Sequence, residues 1–125
     1  MTRVNVGVEP YELCDQHLVA EYRELPRVFA YTGRVLSGPF RLGRGHVLWC
    51  AQYPGSMATR YRALVAEMQH RGFTDNHPEP RGDGAMAPPG AVIEARPIVL
   101  ERVRERLLSM RPRWTKRPIP PWAAA

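Results

Sequence analysis

No apolar run in the 125 residues approaches the roughly 18 needed to cross a bilayer, which excludes a helical membrane protein. The N-terminus lacks a basic segment followed by an apolar stretch, so the sequence predicts an intracellular, cytoplasmic protein rather than a secreted one. Cysteine is scarce. Cys14 and Cys50 are too few for a disulfide framework or a zinc site, and both are expected as reduced thiols. His70 and His77 have no partners at metal-ligand spacing, and neither a paired-carboxylate metal site nor a glycine-rich phosphate loop occurs. Neither metal nor cofactor is therefore expected. Internal repeats are absent, as are low-complexity tracts outside a proline-rich C-terminus. Lysine is nearly absent: Lys116 is the single lysine among 18 cationic residues, and the others are arginine.

What is present is enough for one folded domain. Hydrophobic residues make up 44% and charged residues 24%, a balance that supports a packed core. The length suits one domain spanning residues 1–125, with 111–125 as a Pro/Trp-containing tail. Net charge is +6 and the pI is about 10.0. Arginine makes planar, bidentate contacts to phosphate, so this bias points to a polyanionic partner. A GC-rich genome, which spells basic residues as arginine, is an alternative partial cause.

Apolar periodicity predicts an all-α fold of about three main helices joined by long irregular loops. In the first, from about Glu12 to Tyr31, Cys14, Leu18, Tyr22, Leu25 and Phe29 form one stripe, and Pro26 should kink or loosen the end. The second is expected to be capped by Ser56 and stopped by Gly72, with Met57, Tyr61, Leu64, Val65 and Met68 facing inward. The third falls between about Ala91 and Met110, with Leu100, Val103 and Leu107 on one side. There Pro97 either confines regular helix to the second half or sits in the first turn. Loops are expected over 33–45 and 76–90, and a short extended piece at 47–49.

A second stripe on the first helix consists of Leu13, His17, Ala20, Glu24 and Arg27, with Arg23 beside it. It points nearly opposite the apolar one. One carboxylate framed by two arginines and a histidine is either an ordinary solvated face or an acid set in a phosphate-binding surface. The N-terminus offers a second feature. Thr2 is small enough to permit removal of Met1, exposing an α-amine that is partly neutral at physiological pH. Nearby cations such as Arg3, Arg23 and Arg27 would favour the neutral, nucleophilic form.

Met-Thr-Arg-Val-Asn at 1–5, followed by the block Asp15-Gln16-His17-Leu18-Val19-Ala20-Glu21-Tyr22-Arg23-Glu24-Leu25-Pro26-Arg27-Val28-Phe29, closely resembles the endonuclease V family of pyrimidine-dimer DNA glycosylases. Shorter matches follow in order: Gly45-His46-Val47, Arg71-Gly72-Phe73, Arg81-Gly82-Asp83, and Arg111-Pro112 before Trp114. The resemblance implies an all-helical repair glycosylase with abasic-site lyase activity on damaged duplex DNA. It implies that the Thr2 amine attacks the sugar C1′ to form an imine, and that Glu24 stabilises the developing charge and moves protons in β-elimination. Arg3, Gln16, His17, Arg23, Arg27 and His46 would contact the DNA, as would Arg102 and Arg106 one turn apart on the third helix and Trp114 by stacking. For Arg102 and Arg106 the alternative is ordinary surface charge paired with Glu101 or Glu105; for His46 it is a turn.

Two departures from the family stand out. The connection from the first helix to Gly45-His46-Val47 is shorter than in the phage enzyme. The tyrosine-rich end of that enzyme is replaced here by Thr115-Lys116-Arg117-Pro118-Ile119-Pro120-Pro121-Trp122. Chemistry therefore transfers more readily than lesion preference. The alternatives are an abasic-site lyase, a glycosylase for other damaged bases, or a non-catalytic DNA-binding module. A monomer acting at the nucleoid, with no membrane partner, is expected.

Overall fold

The computed structural model describes residues 5, 7–27, 54–74 and 96–124. They are helical, and no strand occurs among them. A 3-10 turn, Pro10–Glu12, precedes α1 (Asp15–Glu24), α2 (Pro54–His70), α3 (Arg96–Leu108) and the single turn α4 (Pro121–Ala124). This is the all-α architecture expected. Phe29, Cys50, the loops at 33–45 and 76–90 and the extended piece at 47–49 lie outside the described residues. No described helix is long and apolar enough to cross a membrane.

The element boundaries differ from the periodicity in ways local chemistry explains. The first helix starts at Asp15, not Glu12, because Pro10–Glu12 closes its own 3-10 turn through Leu13 N–H to the Pro10 carbonyl (3.2 Å). Its α-helical stretch stops at Glu24, and residues 25–27 tighten into 3-10 geometry around Pro26, whose missing N–H cannot extend the ladder. Likewise, α2 starts at Pro54, which places Ser56 inside the first turn rather than at the cap. Pro97 lies in the first turn of α3, where a proline is tolerated. The end of α2 follows expectation. Gly72 adopts φ +84°, with its N–H on the Gln69 carbonyl (3.1 Å) and Phe73 N–H on Met68 (2.9 Å), a Schellman closure.

One core joins these helices. From α1 and its flanks come Leu13, Cys14, Leu18, Tyr22 and Leu25; from α2 Met57, Tyr61, Leu64 and Met68; from α3 Val103 and Leu107. Val65 and Leu100 are partly buried against them. Tyr22 and Tyr61 stack across the α1–α2 seam with centroids 5.6 Å apart and planes 19° from parallel. Each stripe that was apolar at 3–4-residue spacing therefore faces the same interior.

Residues 111–122 form a strap across the C-terminal end of the 3-10 turn and the N-terminal end of α1. The Asp15 N–H donates to the Arg113 carbonyl (2.6 Å), and the Asp15 carboxylate accepts from Thr115 N–H (3.1 Å) and the Thr115 hydroxyl (2.6 Å). Trp114 Nε1 donates to the Glu12 carbonyl (2.9 Å) and Trp122 Nε1 to Glu12 Oε1 (3.3 Å). Arg117 pairs with Glu67 (2.9 Å), and the Arg104 guanidinium lies over the Trp122 ring at 5.3 Å. Under the strap, Arg71 has no exposed side-chain surface. It donates to Glu67 (2.8 Å), Asp15 (2.9 Å) and the Leu13 carbonyl (2.7 Å).

Candidate active site

The face of α1 turned away from the core seam does not simply meet solvent. Gln16, His17, Ala20, Glu21 and Glu24 recur at spacings of one, three, one and three, and with Asn5 and Met110 they line a cleft of about 350 Å³. Leu13 is fully buried and His17 only 8% exposed, so the lower part of the expected polar stripe is packed and only its upper part is open. Glu24 is half-buried at the open end, one turn beyond Ala20 and two beyond His17. A carboxylate that lines one cleft with an imidazole and an amide completes a set suited to stabilising a cationic sugar and moving protons.

His17 is held by the thiol of Cys14, whose Sγ lies 2.9 Å from Nδ1. Burial pushes the Cys14 thiol above its ordinary range, an effect that hydrogen bonds around His17 only partly offset. The contact ties the imidazole to the start of α1 at the wall of the cleft. Gln16 donates to the Arg111 carbonyl (3.3 Å), tying the cleft's edge to the strap.

A second, shallower groove of about 480 Å³ adjoins the cleft and shares Gln16 and Ala20 with it. Asp15, Val19, Arg23, Phe73, Arg113 and Thr115 complete its lining. Arg23 and Arg27 are exposed. Arg102 on α3 is exposed and Arg106 half-buried, and neither lines the cleft. Trp114 is half-buried, with its ring against the core and its indole N–H on Glu12. Thr2, Arg3 and His46 lie outside the described residues.

Sequence reasoning missed the residue that anchors two of the cleft's lining side chains, Asn5 and Glu21. Arg60 on α2 donates from Nε and Nη2 to the two oxygens of Glu21 (2.6 and 3.0 Å), from Nη2 to the Asn5 carbonyl (3.0 Å) and from Nη1 to the Val8 carbonyl (2.6 Å). Asn5 in turn gives both its N–H and its side-chain amide to Glu21 Oε1 (2.9 and 2.8 Å). The only signal available in the sequence was a carboxylate and an arginine on otherwise amphipathic helices.

An all-helical, arginine-rich protein with one carboxylate–imidazole cleft bordered by exposed arginines has the layout of a DNA-processing enzyme. The family model for pyrimidine dimer DNA glycosylases matches residues 1–80, and the chain belongs to that family. It is a DNA repair glycosylase that acts on damaged DNA. The match takes in α1, α2 and the whole Asn5–Glu21–Arg60 cluster; α3 and the strap lie beyond it.

Proposed function

We propose that the enzyme excises pyrimidine dimers through a Schiff base on the α-amine of Thr2, with Glu24 as its acid–base partner, and then nicks the strand as a lyase. The observation that carries this is the position of Glu24 in the same cleft as Asn5. Thr2 is three residues from Asn5, so covalent geometry keeps its amine within about 10–11 Å of that anchored residue.

The neutral amine attacks C1′ as the C1′–N bond breaks, and the electron pair leaves with the base, which takes up a proton. The nitrogen then gives up one proton, the C1′–O4′ bond breaks with O4′ taking up a proton, and a protonated C1′=N imine forms. Glu24 first stabilises the cationic sugar, because the glycosylic transition state resembles an oxocarbenium ion. It then accepts the C2′ proton as the C3′–O bond breaks and the phosphate leaves, and water hydrolyses the imine to release Thr2. Nothing in this sequence calls for a metal or a cofactor.

DNA is gripped in this reading by Arg3, Arg23 and Arg27 at phosphates near the lesion and by Arg102 and Arg106 from α3. Gln16, His17 and His46 supply hydrogen bonds. Trp114 stacks on bases, its plane fixed by the bond to Glu12. The enzyme acts as a monomeric single domain on duplex DNA at the nucleoid, at a cost in unstacking that a damaged step lowers.

Glu24→Gln tests the acid–base assignment. Turnover on a dimer-containing duplex should fall about 10²–10⁴-fold while equilibrium binding to that duplex stays within a few-fold. A variant that turns over at the native rate removes Glu24 from the mechanism.

A further inference from the structure

We infer that Arg60 is a positioning residue for the reaction: through Glu21 and Asn5 it fixes the point from which the N-terminal segment enters the cleft. The inference rests on the assignment of the Thr2 amine as nucleophile.

The segment from Asn5 to Val8 closes as a turn, with Val8 N–H on the Asn5 carbonyl (3.2 Å) and Gly7 at φ +87°. Arg60 spans this turn and donates to the carbonyls at both its ends. Glu21 holds the turn from the other side, accepting the Asn5 N–H and amide on the oxygen that also accepts Arg60 Nη2. Asn5 is 3% exposed and Glu21 1%. Glu21 and Glu24 stand three residues apart on α1 and are neighbours on its surface. Asn5, three residues from the nucleophile in sequence, is therefore tied to the helix one turn from the partner carboxylate.

Stability alone does not account for such a cluster. Taking a carboxylate and a guanidinium out of water is costly, and well-packed apolar residues of similar volume often serve a fold as well or better. A fully satisfied polar network supplies direction instead: each bond fixes an angle as well as a distance. A nucleophile three residues from that network gains from it, because an error of about 1 Å in approach costs on the order of a hundredfold in rate.

Two variants separate positioning from folding. Arg60→Lys keeps a cation beside Glu21 but loses the fork to the Asn5 and Val8 carbonyls. Asn5→Ala leaves the Arg60–Glu21 pair and the backbone bonds of Asn5 intact and removes only the side-chain bond to Glu21. Each is freed of Met1, checked by mass spectrometry, and compared with the parent in three measurements. These are single-turnover cleavage of a dimer duplex, the rate of borohydride-trappable adduct on an abasic duplex, and Kd for a duplex carrying a tetrahydrofuran abasic analogue. The expected result is a loss of about 30–100-fold in both rates at saturating DNA, with Kd within about threefold of the parent and a cooperative melt. Native rates in a folded Arg60→Lys variant overturn the inference, as does a loss that merely follows the unfolded fraction or the Kd. Parent protein that retains Met1 is the control for the underlying assignment. If it is trapped as fast as the Thr2 form, the nucleophile is misassigned; if it is silent while both variants react at native rates, only the role of Arg60 fails.

Discussion

Arg71 and Arg60 are the two residues on which distant parts of the chain converge, each donating to several groups far away in sequence. Arg71 is 3% exposed and reaches Glu67, Asp15 and the carbonyls of Pro10, Tyr11 and Leu13. Pro10 and Tyr11 lie in the 3-10 turn and Leu13 is its C-cap, and of these carbonyls that of Pro10 also accepts the Leu13 N–H. Arg71→Leu strands two carboxylates and these carbonyls beneath the strap, so urea unfolding should show a loss of about 3–5 kcal/mol. A change below about 1 kcal/mol would mean the cluster is solvated. Neither arginine announced itself in the sequence, because an arginine on an amphipathic helix reads as surface until its partners, up to 61 residues away, are known. Glu24, Gln16 and His17 were legible, since their spacing along one helix is itself the geometry of the cleft wall.

At the level of elements, α1 and α2 carry the cleft and the strap locks their ends. Burial works to raise the Asp15 and Glu67 carboxyls, but hydrogen bonds outweigh it: from Thr115 and then Arg71 to Asp15, and from Arg117 and Arg71 to Glu67. Both groups end below their ordinary ranges. The native state then binds fewer protons than the unfolded chain in acid, so this contribution is complete above the unfolded values and disappears as pH falls through the folded ones. Thermal melts should hold a steady Tm from about pH 7 to 5 and decline below that, with a shallower decline for Asp15→Asn than for the parent. An identical acid dependence in Asp15→Asn would place the lost stability elsewhere. Helix ends were legible where a single residue enforces them, Pro26 and Gly72 above all. The strap was not, since proline-rich sequence has no periodicity and its register is set by Asp15, Glu12 and Glu67 rather than by itself.

Over the whole molecule, the excess of cations and the near-exclusive use of arginine give a field that favours DNA wherever it lands, while the cleft decides what happens there. Arg27 is exposed at the end of α1 and outside the cleft lining. Arg27→Ala should weaken binding alike on damaged and undamaged duplexes and reduce the slope of log K against log salt by about one. A loss confined to damaged DNA would make it a lesion contact instead.

The decisive experiment is borohydride trapping of protein shown by mass spectrometry to begin at Thr2, on two labelled duplexes, one with a cis-syn thymine dimer and one with an abasic site. A covalent adduct on both, mapped to the N-terminal peptide, is the predicted result. No adduct on either duplex from that same protein would contradict imine chemistry at Thr2.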